Sequence, residues 1–235
     1  MASLLVLVTY LVLGLPVALV CIPWRMITGD IMPLYRGSMW VVRAGLRAGG
    51  IRLEVVGLEG VPAGLACIFM ANHVSNLDPP VLLPLIPGRT AVFLKRSLMK
   101  IPVLGFGMRL AEFVPVDRGG NLEGAVESTR MAKSLLARGI SITTFVEGTR
   151  SRDGKLQAFK KGPFYLGAES GAPCVPISIS GTESMMRKGS LKIAPGVARV
   201  VFHAPLYARD FANRDELMAA ARVAIAAGLP EWMRS

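Results

Sequence analysis

Residues 2 to 24, ASLLVLVTYLVLGLPVALVCIPW, carry no charge. A helix needs about 20 apolar residues to cross the hydrocarbon core of a bilayer, and this stretch meets that length. A secretory signal places basic residues before its apolar run. Here Arg25, Arg36, Arg43, Arg47 and Arg52 all follow it. If the segment spans, that bias puts the rest of the chain on the cytoplasmic face. A second stretch, about 33 to 49, sets Tyr35 and Trp40 among arginines at helical spacing and reads as an interfacial amphipathic helix. Two arrangements fit, a single span and a helical hairpin dipped into one leaflet. A helix buried in a soluble core does not demand so long an uncharged run.

The remainder supports a membrane relation. Over half of the 235 residues are apolar (52%), and the mean hydropathy is +0.47. Basic residues outnumber acidic ones 27 to 16, for a formal net charge of +11. Such a surface suits anionic lipid or phosphorylated small molecules. It does not suit nucleic acid here, because finger spacings, aromatic RNA-binding signatures and a basic tail are all missing. Cys21, Cys67 and Cys174 stand apart in apolar contexts. They form neither a disulfide framework nor a metal cluster, which fits a reducing compartment.

From about residue 51, short β-like runs alternate with helical ones. Strands are expected at 51–56, 66–71, 91–95, 113–117, 140–146, 174–180 and 197–203. Helices are expected at about 78–86, 103–111, 121–138, 160–170 and 212–228. This order argues an α/β fold with a mixed, mainly parallel sheet flanked by helices, behind an N-terminal apolar helical membrane anchor. The expected organisation is an anchoring segment over 1–49 and a single domain over 50–235.

The stretch ANHVSNLDPP, residues 71–80, holds one of only two histidines. Five residues separate His73 from Asp78, about 140° apart on a helix, so the pair can meet only if the chain turns between them. Loop residues and the two prolines supply that turn. The expectation is that one Asp78 oxygen caps the helix that follows, with Pro79 opening it. The other oxygen then accepts a hydrogen bond from His73 and fixes its tautomer, leaving the second ring nitrogen to take a proton from a hydroxyl. Ser75 tempts a Ser-His-Asp reading, but no GxSxG elbow occurs, and a loop hydroxyl bonded to backbone accounts for it.

A second informative stretch is FVEGTRSRDGKLQAFKKG, residues 145–162. Gly148 permits close approach of backbone to a ligand. Arg150, Arg152, Lys160 and Lys161 gather cations after a strand, and an arginine fork suits phosphate oxygens. Arg118 also lies just past a strand end, where ligands of open α/β sheets bind. The lack of GxxxxGK[ST] argues against a nucleotide hydrolase.

Four motifs in order make the chain resemble the 1-acylglycerol-3-phosphate (lysophosphatidic acid) acyltransferases over about residues 50 to 205. They are Asn72-His73 through Asp78, FVPVDR ending at Arg118, FVEGTR over 145–150, and VPISI over 175–179. FKKG and LKRSLMKIPVLG are also familiar from that family. The resemblance implies transfer of a fatty acyl group from a thioester, acyl-CoA or acyl carrier protein, to the free hydroxyl of 1-acyl-glycerol-3-phosphate. It implies His73 as general base and Asp78 as its orienting partner. Arg118 and Arg150, with Lys95, become phosphate ligands. Glu147, Gly148 and Thr149 belong to the same binding loop, Glu147 as its organiser. No metal or cofactor is implied.

Two positions depart from the family pattern. Val146 stands where proline is usual, an exchange expected to loosen that turn, and Glu112 stands where glycine is usual. The rival reading is an acyltransferase acting on another lysolipid, such as a lyso-ornithine lipid or lysophospholipid. A lipid hydrolase lacks its nucleophile elbow, and a non-catalytic membrane-binding module leaves His73 and Asp78 without a purpose.

Overall fold

A computed structural model describes residues 1–102, 104–117, 122–187 and 189–234. The elements run α1 (Ala2–Thr28), α2 (Met32–Ala48), β1 (Ile51–Val56), β2 (Ile68–Ala71), α3 (Asp78–Leu82), β3 (Thr90–Lys95), α4 (Leu104–Leu110), β4 (Val114–Val116) and α5 (Leu122–Ala137). They continue with β5 (Ser141–Phe145), α6 (Gly162–Ser170), β6 (Cys174–Ser180), α7 (Thr182–Met185), β7 (Gly196–Phe202) and α8 (Arg214–Ala227). The sheet is mixed and mainly parallel, in the order β1-β7-β6-β2-β5-β3-β4. The pairs β2–β5, β2–β6, β3–β5 and β3–β4 are all parallel. Every residue of β2 and β6 is buried, which is why β2 reads as an unbroken apolar run rather than an alternating one, while β6 also buries Ser178 and Ser180.

The chain divides into two compact units. One comprises Met1–Glu54, Val74–Ile86 and Ser180–Arg199; the other comprises Val55–His73, Pro87–Ile179 and Val200–Ser235. In the first, α1 and α2 form a helical hairpin. Helix α1 ends at Gly29, whose φ of 77° lets its N–H reach back to Arg25 O at 3.0 Å. Asp30 Oδ1 then accepts the Met32 N–H at 2.8 Å as α2 begins. Glycines bring the two helices together. A Cβ on Gly45 would run into the Tyr10 ring, and one on Gly37 would sit 2.7 Å from Val17. The opposite side of α1 leaves Leu4, Leu11, Val12, Leu15, Leu19 and Val20 exposed. By length and composition α1 could cross a membrane. In the second unit, α4, α5, α6 and α8 accompany the central strands.

Candidate functional site

The second unit carries His73, Lys95, Glu147, Gly148, Thr149 and Arg150; the first carries Asp78. Arg118 lies outside the described residues. Because β2, β3, β5 and β6 run parallel, their carboxyl ends share one edge, where open α/β sheets place ligand-binding loops. Ala71 pairs with Phe145 on one side and Ile177 on the other, so Asn72-His73 and Val146-Glu147 leave the sheet level with each other.

Asn72 continues the ladder with its side chain. Its amide donates to Ile179 O at 2.9 Å and accepts from Ile179 N–H at 2.7 Å, fully buried. His73 is held by its backbone from two directions. Its N–H donates to Glu147 Oε1 at 2.8 Å, and its carbonyl accepts the Ser151 N–H at 2.8 Å. The imidazole stacks on the Phe145 ring, with centroids 4.1 Å apart and planes 25° from parallel.

Glu147 is 2% exposed, and its other oxygen accepts the Gln157 N–H at 3.0 Å. One carboxylate therefore links the exit of β2 to the loop after β5 through backbone donors. Gly148 closes this turn with φ at 71°, its N–H reaching Phe145 O at 2.9 Å. Thr149 and Lys95, which ends β3, are exposed, while Arg150 is half-buried. Arg96, beside Lys95, grips both oxygens of Asp117 at 2.9 Å.

The turn at Val146 is tied rather than loosened. The Val146 N–H donates to Ala71 O at 3.0 Å, a bond proline cannot make, and its carbonyl accepts the Lys160 N–H at 2.7 Å.

Asp78, in the first unit, departs from the expected helix cap. It is the first helical residue of α3, and the N-cap position falls to Leu77. The reason lies in the next two residues, since Pro79 and Pro80 have no N–H to offer a capping oxygen. The buried carboxylate turns back instead. Oδ2 accepts the N–H groups of Val74 at 2.7 Å and Ser75 at 2.8 Å, and Oδ1 accepts the Thr182 hydroxyl at 2.5 Å. The Ser75 hydroxyl donates to Met186 O at 2.8 Å, a loop-fixing bond.

Glu112 has φ of +57°, the one non-glycine residue with positive φ among those described. It occupies the turn that ends α4. Its N–H reaches Arg109 O and the Phe113 N–H reaches Met108 O, both at 3.0 Å, in the double-bonded closure that favours glycine at this position. The side chain offsets the strain through ion pairs with Arg89 at 2.6 Å and Arg138 at 2.8 Å. Arg138 foremost, then Arg89, hold its carboxyl below the ordinary glutamate value against the opposing effect of burial.

The second histidine has a structural place. The Ser178 hydroxyl donates to Ile225 O at 2.6 Å and lies 2.7 Å from His203 Nε2, and burial lowers the His203 pKa. Among the described residues, no group of three His, Cys, Asp or Glu is arranged to hold a metal ion. Sequence reasoning missed Thr182 and Ser151. A hydroxyl or amide partner so far along the chain leaves no local pattern to find.

The family model described as Acyltransferase matches residues 52–180. A chloroplastic 1-acyl-sn-glycerol-3-phosphate acyltransferase of Brassica napus is 38% identical over 159 residues, which is 66% of this chain and 45% of that one. A 1-acyl-sn-glycerol-3-phosphate acyltransferase of Limnanthes douglasii is 30% identical over 213 residues, covering 88% of this chain and 72% of that one. The match thus spans about half the length of the Brassica relative and of an Arabidopsis thaliana one, 45% and 44%. The crystal structure of PlsC, the 1-acyl-sn-glycerophosphate acyltransferase of Thermotoga maritima, superposes with a TM-score of 0.79 at 25% identity, over 98% of this chain and 96% of that one.

Proposed function

We propose, because the chain belongs to the acyltransferase family, that it moves a fatty acyl group from a thioester to the free hydroxyl of 1-acyl-glycerol-3-phosphate, giving phosphatidic acid. The observation that carries this reading is the Asn72-His73 exit of β2, held at its backbone by Glu147 of the FVEGTR motif. A thioester is already activated, so the enzyme must chiefly generate a nucleophilic hydroxyl. The His73 ring takes the hydroxyl proton as the oxygen attacks the thioester carbon. The tetrahedral oxyanion then collapses, the C–S bond breaks, and the proton held on His73 passes to the departing thiolate. Asp78 orients His73 and balances its charge. Arg118 and Arg150, with Lys95, hold the acceptor's phosphate so that its hydroxyl faces the base. Glu147 shapes the loop that Gly148 and Thr149 open to the ligand. The donor is acyl-CoA or acyl carrier protein.

The proposed organisation is a membrane-anchoring segment over 1–49 and an acyltransferase domain over 50–235, working on the cytoplasmic face. A 27-residue helix is about 40 Å long, enough to cross a bilayer core of about 30 Å. Yet α2 packs along α1 and carries exposed Arg36, Arg43 and Arg47. A full crossing would take those guanidiniums into hydrocarbon, which favours a hairpin seated in one leaflet.

The test is product analysis by mass spectrometry of the purified chain, given an acyl thioester with lysophosphatidate or with a zwitterionic lysolipid. Phosphatidic acid is the expected product. His73→Ala should cut turnover by about 10²- to 10⁴-fold in a folded protein. Arg150→Ala should cut kcat/KM for lysophosphatidate by about 10- to 150-fold and the zwitterionic reaction far less. Equal wild-type rates on both acceptors would defeat the lysophosphatidate assignment, and an active His73→Ala would defeat the mechanism. In the same preparations, removal of residues 1–24 should shift the chain out of the membrane fraction or leave it aggregated. Unchanged partitioning would defeat the anchor.

A further inference from the structure

Helix α7 grips the loop that carries Asp78 at two points. Thr182 donates to Asp78 Oδ1 at 2.5 Å, and Met186 O, just beyond α7, accepts the Ser75 hydroxyl at 2.8 Å. The Thr182 bond has the length of a hydroxyl donating to a charged carboxylate. Both residues are 0% exposed, so water does not compete for the carboxylate oxygen.

The threonine is held in place from several directions. Gly181, just before it, has φ of +90°, and a Cβ there would strike Val197 O, so the entry to α7 accepts glycine alone without rearrangement. The Met186 N–H returns to Thr182 O at 3.0 Å, and the Ala194 N–H reaches Met185 O at 2.9 Å. The neighbouring Glu183 carboxyl is pushed above its ordinary value, first by burial and also by the nearby charge of Asp78.

We propose that Thr182 is a positioning residue, whose hydroxyl fixes the orientation of the Asp78 carboxylate and through it the geometry of the catalytic loop. The inference rests on the acyltransferase reading, in which Asp78 serves His73. Two backbone N–H groups bind Oδ2, and the Thr182 hydroxyl binds Oδ1 from a different direction, so the carboxylate is held at both oxygens. Thr182 touches neither substrate nor reacting atoms and acts only through Asp78.

The experiment uses the full chain in detergent with an acyl thioester and lysophosphatidate. Thr182→Val keeps the shape and removes the donor. It should lower kcat about 10- to 150-fold, the worth of one charge-assisted hydrogen bond, with KM changed by no more than about twofold. Thr182→Ser restores the donor and should return kcat to within about threefold of wild type. Thr182→Cys, a weaker donor of similar shape, should fall between them, and it carries the test if the valine variant does not fold. In an Asp78→Asn background, Thr182→Val should cost nothing further, because the two act as a unit. A folded Thr182→Val or Thr182→Cys chain at the wild-type rate, beside an impaired Asp78→Asn, overturns this inference alone. Losses that multiply in the double variant overturn it as well. An Asp78→Asn chain at the wild-type rate overturns the catalytic reading and this inference with it.

Discussion

Glu147 and Glu112 belong to the same unit but stand at opposite ends of its parallel strands, and they are held by different means. Glu147 follows β5, is buried, and binds only backbone in its described bonds, the N–H groups of His73 and Gln157. Glu112 precedes β4, keeps 36% of its side chain exposed, and binds the guanidiniums of Arg89 and Arg138. A carboxylate on backbone donors determines the path of the chain, because the donors cannot move without moving the loop. A carboxylate on arginines stabilises a turn whose path is already determined, here by the hydrogen bonds that end α4. The first arrangement suits a loop that must place a histidine. The second suits a turn where a side chain has taken a glycine's position.

The comparison breaks most readily at Glu147. Glu147→Ala strands two backbone N–H groups, at roughly 1–3 kcal/mol each, so a loss of about 2–6 kcal/mol in unfolding free energy is expected. Acyl transfer should fall below detection, since His73 loses its backbone tether. If denaturant titration gives Glu147→Ala and Glu112→Ala equal losses, backbone and guanidinium partners are equivalent here and the distinction is void.

Val146→Pro tests how much of that loop's hold comes from backbone alone. The substitution removes the N–H that donates to Ala71 O, and about 1 kcal/mol of stability should go with it. Glu147 and Arg150 remain, so kcat should stay within about threefold of wild type. A loss as large as that of Glu147→Ala would mean that the strand-end bond, and not the carboxylate, holds His73.

The smallest effect is expected at Glu112. Glu112→Gly relieves a left-handed backbone at a gain of about 1 kcal/mol and gives up two partly exposed ion pairs worth about 0–1 kcal/mol each, so stability should change by less than about 1 kcal/mol. Glu112→Ala keeps the strain without the pairs and should be the least stable of the three. The pH dependence sharpens the point. Because the folded carboxyl titrates below its unfolded value, the unfolded chain binds more protons in between, and stability rises with pH across that interval. The contribution of Glu112 is therefore complete above the ordinary glutamate range and is lost as pH falls through the lowered value. An acid unfolding profile identical for Glu112→Gly and wild type would show that the arginine pairs contribute nothing.

Much of this molecule is legible in short stretches of sequence. The run IRLEVV became β1 over the same residues, and CVPISIS became β6. Apolar runs of four to seven residues between glycines and polar turns leave the backbone few other ways to pair its donors. Helix α7 was not foreseen, since four residues after Gly181 show no periodicity. The Asn-His-x4-Asp spacing marked His73 and Asp78, and the two adjacent prolines, which have no N–H, already held a reason for the Asp78 carboxylate to turn back to Val74 and Ser75.

The partners lay beyond such reading. Thr182 reaches Asp78 across 104 positions, Glu147 reaches His73 across 74, and Glu112 reaches Arg138 across 26. Hydrophobic period and turn chemistry are set by residues near in sequence, so the chain alone determines its elements, its long apolar N-terminal helix and the chemistry of its motifs. Which donor meets which carboxylate depends on strand order and register, which arise only when the elements pack. The tertiary structure therefore decided that the buried Glu147 and Asp78 meet backbone amides, Asp78 with the Thr182 hydroxyl besides, while the partly exposed Glu112 meets arginines.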